Sequence, residues 1–224
     1  SFIKIYVATI KKKHIVIIGP AYPLRGGLAT YNQLLAIKLQ DQGHQVRIVT
    51  FSLQYPSILF PGKTQYSTDP KPEHLDIEVS LNSVNPLNWV RLGRKLKKEK
   101  PDLIIFRYWM PFMGPCLGTL GRIVSKNKHT KVIAIADNII PHEQRFFDSV
   151  FTRYFVGGCD GFVTMSESVL SDLKQFTTTK PVAYNPHPMY ESFGPQLEKA
   201  DARKKLGLQE DGKYLLFFGF IRKY

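Results

Sequence analysis

The amino-acid sequence predicts a doubly wound α/β fold: a parallel sheet with helices on both faces. Short apolar, β-branched runs recur along the chain, and segments with helical spacing alternate with them. Most of the runs are apolar throughout, the pattern of strands buried on both sides.

The first run is HIVIIG, residues 14–19. Behind it, GGLATYNQLLAIKLQDQG puts Leu28, Tyr31, Leu34, Leu35 and Leu39 on one helical face, and Gly43 supplies the stop. QVRIVTF (45–51) is the second strand. Residues 52–72 contain four prolines and no steady period, so a long irregular loop over the carboxyl edge of the sheet is expected. LDIEVSLN follows, with Ile77, Val79 and Leu81 alternating, and then a basic helix, NPLNWVRLGRKLKKEK, ended by Pro101. DLIIFRY, KVIAIAD and GFVTMS read as three more buried strands, interleaved with the helical patterns FMGPCLGTLGRIVSKN and EQRFFDSVFTRYFVGG.

From about Pro186 the composition changes. NPHPMYESFGPQ is proline-rich and aperiodic, ADARKKLGL is a short helix with a glycine stop, and KYLLFFGF reads as a buried strand. That strand is either the last of one sheet or the first of a second domain. The expected division is an extension over 1–12, a first domain over 13–190, and a linker with the opening strand of a second domain over 191–224.

A chain of 224 residues, 43% of them hydrophobic, is long enough to bury a generous core. Lys and Arg outnumber Asp and Glu by 31 to 18, so the surface attracts anions, whether nucleic acid, anionic lipid or phosphorylated metabolites. Cys116 and Cys159 have no partner at metal-ligand spacing, which fits a reducing cytosol. The apolar start is broken by Lys4 and followed by Lys11, Lys12 and Lys13. It is too short to span a bilayer and carries its charge on the wrong side for a secretory signal.

Three segments carry the residue types that chemistry needs. In GPAYPLRGG, Gly19, Arg25, Gly26 and Gly27 lie between the first strand and its helix. A helix opening there presents unpaired N–H groups to an anion, although glycines at such a turn also serve tight helix-on-sheet packing. The spacing is not G-x-G-x-x-G and no acidic residue closes the second strand, which argues against a dinucleotide.

ADNIIPHEQR crowds Asp137, Asn138, His142, Glu143 and Arg145 into nine positions at the carboxyl end of a buried strand. Asp137 belongs on the crevice floor, and Asn138 can donate to and accept from sugar hydroxyls. His142 is either a ligand or part of a helix start that Glu143 favours through the dipole. In NPHP, His187 stands in a stiff connector that can face a cleft. The chain has no zinc spacing, P-loop lysine or nucleophile elbow, so no metal and no resident cofactor are expected.

Taken in order, HIVIIGPAYPLRGGLATYNQLLAIKLQDQGHQVRIVTF, PDLIIFRYW, ADNIIPHE, GFVTMSESVLSDL, NPHPMYESF and ARKKLGL…YLLFFGFIRKY resemble the retaining glycosyltransferases of family 4, also called group 1. The resemblance implies a GT-B architecture, two Rossmann-like domains across a cleft. This chain would be the amino-terminal, acceptor-side one, truncated after the first strand of the missing donor-binding domain and inactive alone. It also implies transfer of a hexosyl group from a nucleoside-diphosphate sugar, a substrate rather than a cofactor, to an acceptor hydroxyl with retention.

Gly26 and Gly27, with Arg25 as neighbour, would lie beside the donor diphosphate. The position that faces the transferring sugar, commonly histidine, is Asp137 here, followed by Asn138, while His142, Glu143 and His187 are acceptor or cleft candidates. In the family's G-R-L-x-x-x-K-G strand the arginine place is taken by Phe220, with Arg222 as a substitute, and the lysine would follow Tyr224. Many relatives build envelope polysaccharide or glycolipid on lipid-bound acceptors. With Arg91, Arg94, Lys95, Lys97, Lys98 and Lys100 on the basic helix, this suggests a cytoplasmic protein, peripheral on the inner face of an anionic membrane; the alternative for that helix is an ordinary solvated one whose Leu92 and Leu96 pack on the sheet. Nucleic acid is not expected as a partner. The competing reading is a non-catalytic nucleotide- or nucleic-acid-binding module of the same fold.

Overall fold

The computed structural model describes residues 11–56, 65–68, 70–141, 145–188 and 194–217. Its elements are β1 (His14–Ile18), α1 (Gly27–Asp41), β2 (Gln45–Leu53), β3 (Asp76–Asn82), α2 (Pro86–Glu99), β4 (Leu103–Tyr108), α3 (Gly114–Ser125), β5 (Lys131–Ala136), α4 (Asp148–Gly157), β6 (Gly161–Thr164), α5 (Glu167–Lys174), β7 (Val182–Tyr184) and α6 (Lys199–Lys205). The chain divides into two units, Ser1–His187 and Pro188–Tyr224.

The first unit holds one sheet of seven strands in the order β3-β2-β1-β4-β5-β6-β7, parallel at every pairing. The order reverses between β1 and β4. Loops leaving those two strands diverge, which opens a crevice at the carboxyl edge where such sheets bind ligands.

Successive side chains of a strand face opposite ways, and the core divides accordingly. Val16, Ile18, Ile104, Phe106 and Ala134 join a cluster with Leu92 and Leu96 of α2, Leu117 and Leu120 of α3, Phe155 of α4 and Leu173 of α5. Ile15, Ile17, Ile48, Ile105 and Ile135 face the other way, onto Ala36, Tyr31 and Leu35 of α1. Among the described residues, α1 is the helix that covers this second face. The predicted doubly wound α/β fold is therefore the one observed.

Some elements differ from expectation in detail. The buried positions of α1 are Ala29, Asn32 and Ala36, with Leu28, Tyr31, Leu34, Leu35 and Leu39 only half-buried. Small residues let the helix axis approach the sheet, and the larger side chains splay to either side. Gly43 does end the turn: at φ 87° it donates to Gln40 O while His44 donates to Leu39 O. The short β7 extends the sheet past the last strand read from the sequence.

Helix α2 starts at Asn85, whose side chain accepts from the Leu87 and Asn88 amides, and stops at Lys100 in the left-handed region. Leu92 and Leu96 are buried in the core, and the Trp89 indole donates to Asn82 O at 2.7 Å. The apolar stripe that would rest on a lipid surface is thus taken up by the sheet, leaving a basic outer face.

Glycines in α3 have a separate role. A Cβ on Gly118 would stand 2.8 Å from the Tyr154 ring, and one on Gly114 or Gly121 would strike the Phe151 or Gly158 carbonyl. The backbones of α3 and α4 touch through these positions.

In the second unit, α6 is followed by Gly207 at φ 67°, and Arg203 donates to Gly212 O at 2.7 Å. The buried strand expected at 213–220 is not formed over 213–217, where Leu215, Leu216 and Phe217 are exposed. A strand needs a neighbouring ladder, and the described residues of this unit contain none. Residues 218–224, with Phe220 and Arg222, lie outside the described residues.

Candidate functional site

The crevice begins at the end of β1. A Cβ on Gly19 would lie 2.7 Å from both Arg107 Cβ and Asn32 Nδ2, so only glycine lets β1, β4 and α1 converge here. The loop that follows is held from several sides. Asn32 Nδ2 donates to Pro20 O at 2.8 Å, the Ala21 amide donates to Thr50 Oγ1 at 2.9 Å, and the Tyr22 amide donates to Gln33 Oε1 at 2.9 Å. The long loop after β2 returns as expected over this edge. Its Gln65 and Ser67 hydrogen-bond the backbone of Arg25 and Pro23, and Tyr66 forms a β-bridge with Leu24.

Gly26 caps α1 with φ 117°, a conformation that disfavours any side chain, and supplies no side-chain cap to the first amides, while Thr30 Oγ1 donates to Gly26 O at 3.3 Å. A Cβ on Gly26 or Gly27 would meet nothing within 4 Å. Among the described residues, nothing fills the space at the positive end of the helix dipole, beside exposed Arg25. Of the glycines in this loop, Gly19 serves tight packing, while Gly26 and Gly27 pack against nothing among the described residues.

Asp137 follows β5 and extends its ladder through a 2.8 Å bond from its amide to Tyr108 O. Both carboxylate oxygens are engaged by Arg107 of β4: Nε donates to Oδ2 at 2.5 Å, and Nη2 donates to Oδ1. The Arg107 side chain is 2% exposed and that of Asp137 19%. The guanidinium lies 4.0 Å from the centroid of the Tyr31 ring, and His187 meets the same ring edge-on at 5.5 Å. Burial pushes the Asp137 carboxyl above its ordinary value, while the charges of Arg107 and His187 pull the other way. Arg107 Nη1 and Asn32 Oδ1 are buried without a hydrogen-bond partner among the described residues.

The structure thus joins Tyr31 of α1, Arg107 of β4, Asp137 after β5 and His187 after β7 into one cluster, a turn along the helix from Gly26 and Gly27. Asn138 is the next residue and half-buried; His142 and Glu143 lie outside the described residues. Arg107 was not among the residues singled out, though a signal existed. DLIIFRY is otherwise a run of buried-strand residues, and a charge inside one demands a partner.

On the opposite face of the sheet, Ile139, Pro141, Thr152, Arg153, Gln175 and Phe176 help line a cavity of about 150 Å³. Among the described residues, no group of three or more His, Cys, Asp or Glu could hold a metal ion, and no helix is long and apolar enough to cross a membrane.

Solved structures share this fold. An alpha-glucosyltransferase in complex with UDP and a 13-mer DNA containing a HMU base aligns with TM-score 0.50 and 13% identity, over 79% of this chain and 43% of its own. A second structure of an alpha-glucosyltransferase with UDP and such a DNA aligns with TM-score 0.50 and 12% identity, over 78% and 42%. The chain therefore spans less than half the length of these neighbours, and identities this low speak for the fold alone. No curated protein sequence matches the chain. A family model matches residues 25–188, from the glycine loop of the crevice to the connector after β7, and by that match the chain belongs to Glycosyltransferase Family 4.

Proposed function

We propose that this chain is the acceptor-side half of an enzyme that transfers a hexosyl group from a nucleoside-diphosphate sugar to an acceptor hydroxyl, with retention. Family membership supports glycosyl transfer. The observation that carries the site is the start of α1 at the strand-order reversal, on the same carboxyl edge of the sheet as Asp137, which Arg107 of β4 holds.

In this reading the Gly26 and Gly27 backbone, with Arg25, faces the diphosphate and stabilises the charge that grows on it as the glycosidic bond breaks. Asp137 and Asn138 take the sugar side, where an acceptor-only carboxylate and an amide suit hydroxyl groups. His187 lines the same cleft from the connector, and His142 and Glu143 belong to the acceptor side. The second unit, from Pro188 onward, contributes the start of the donor-binding domain, with Arg222 assigned to the diphosphate. Because the fold neighbours are more than twice as long as the region they share with this chain, the chain by itself is expected not to turn over donor.

A lipid-linked or envelope-glycan acceptor at the inner face of a membrane remains the proposed partner. Both fold neighbours are described as complexes with DNA. That weighs against the expectation that nucleic acid is no partner, so an oligonucleotide belongs among the acceptors tested.

The experiment is calorimetry of the full-length protein with UDP and GDP, followed by transfer assays from UDP- and GDP-hexoses to membrane lipid extract, oligosaccharide and oligonucleotide. Binding of one nucleotide with transfer to lipid or glycan is expected, and proton NMR of the early product should show the donor's anomeric configuration. Absence of nucleotide binding sinks the function, and transfer to the oligonucleotide alone replaces the acceptor.

A further inference from the structure

We propose that Arg107 is the positioning residue of the crevice: held under Tyr31, its guanidinium clamps Asp137 side-on and makes the carboxylate a fixed acceptor for ligand hydroxyl groups. The inference deepens the proposed function and rests on Asp137 facing the sugar.

The geometry supports it at each point. A carboxylate has about four acceptor positions over two oxygens. Arg107 Nε and Nη2 occupy one on each oxygen, which leaves a further acceptor position on each, and the Asp137 side chain is 19% exposed. The orientation is doubly fixed, because the Asp137 amide is tied to Tyr108 O and the guanidinium plane is held by the Tyr31 ring. Arg107 cannot swing to solvent: it is 2% exposed, and Gly19 abuts its Cβ side. A lysine there would bring one point charge in place of a planar fork. Among the described residues, the charged and titratable groups facing Asp137 are Arg107 from β4 and His187 from the connector, with Tyr31 of α1 behind Arg107. The clamped carboxylate keeps acceptor positions free and offers no donor of its own, which suits ligand hydroxyl groups. It also discriminates against phosphate or carboxylate groups at this end of the crevice, leaving anions to the start of α1.

The test follows the Asp137 side-chain carbon by NMR in the full 224-residue chain labelled at aspartate, with the resonance assigned through its loss in Asp137→Asn. In Arg107→Met the Asp137 titration midpoint moves up relative to wild type, because burial then acts without its main opposing charge. Arg107→Lys restores part of the shift. Should Arg107→Met fail to fold, Arg107→Lys against wild type gives the same comparison. A midpoint that stays put in every folded variant overturns the clamp, whatever happens to turnover.

Alongside, kcat/KM of the full-length protein with its donor falls about 10²-fold in Arg107→Lys, as expected when a contact is misplaced by about 1 Å, while affinity for the free nucleotide is unchanged. A shifted midpoint with wild-type turnover in Asp137→Asn instead overturns the sugar-side role of Asp137, and with it the acceptor function assigned to the clamp.

Discussion

Breaking the Arg107–Asp137 pair from its two ends should give two different results. Asp137→Asn leaves a guanidinium that is 2% exposed and does not lose its proton at any usable pH. The cost is that of a buried, unpartnered charge, about 3–5 kcal/mol. For a domain of this size that lowers Tm by about 6–20 °C at about 2–4 °C per kcal/mol. Arg107→Met leaves a carboxylate that can take up a proton.

Burial already holds the Asp137 pKa above its unfolded value, so the folded state binds more protons than the unfolded one. Stability from this group is fully present below the unfolded pKa and is lost as pH rises through the folded pKa. Removing Arg107 widens that window. The penalty of Arg107→Met is therefore small in acid and grows toward neutral pH, whereas that of Asp137→Asn, which deletes the carboxyl's own acid-side contribution, is largest in acid and shrinks as pH rises. Urea unfolding followed by circular dichroism at acid and neutral pH measures both, and the double variant should cost less than the sum of the singles. A penalty below about 1 kcal/mol for Asp137→Asn, the range of exposed ion pairs, would refute the buried-pair argument, as would identical pH dependence in the two variants.

Gly27→Val should fold with near wild-type stability, since its Cβ meets nothing within 4 Å, yet the full-length enzyme should lose most of its turnover; unchanged turnover would show that the loop only connects. Gly121→Ala should cost about 1–3 kcal/mol through overpacking against the Gly158 carbonyl, read as a drop in urea midpoint, and a neutral result would mean α3 and α4 can separate freely. Binding to anionic vesicles, if mediated by α2, should be purely electrostatic and fade between low and physiological salt, because Leu92 and Leu96 are buried; salt-resistant binding unaffected by Arg94→Glu and Lys98→Glu would place the contact elsewhere.

The fold was largely legible because most strands are long apolar runs and the order of helices between them is conventional. β7 was not, since three residues have no period to detect. The leucines of α1 attracted the core assignment, but close packing of a helix on a sheet favours the smallest side chains, and Ala29 and Ala36 carried it. Residues 213–217 show the limit of composition: apolar residues make a buried strand only where a ladder awaits them. At the site, Gly26, Gly27 and Asp137 were visible as a strand-end glycine loop and a strand-end acid. Arg107 and Tyr31 passed as ordinary strand and helix residues, because their role exists only once α1 is laid across β4.

The glycine loop between β1 and α1 is tied to Thr50, Asn32 and Gln33 and to the returning chain at Gln65 and Ser67. Its ordering entropy is therefore lost during folding and not at the moment a ligand arrives. Under the proposed function, an anion entering there meets a loop already ordered. Its association should behave as a diffusional, salt-sensitive encounter without a slow closure step, and differences in affinity among nucleotides should then reside in their rates of departure.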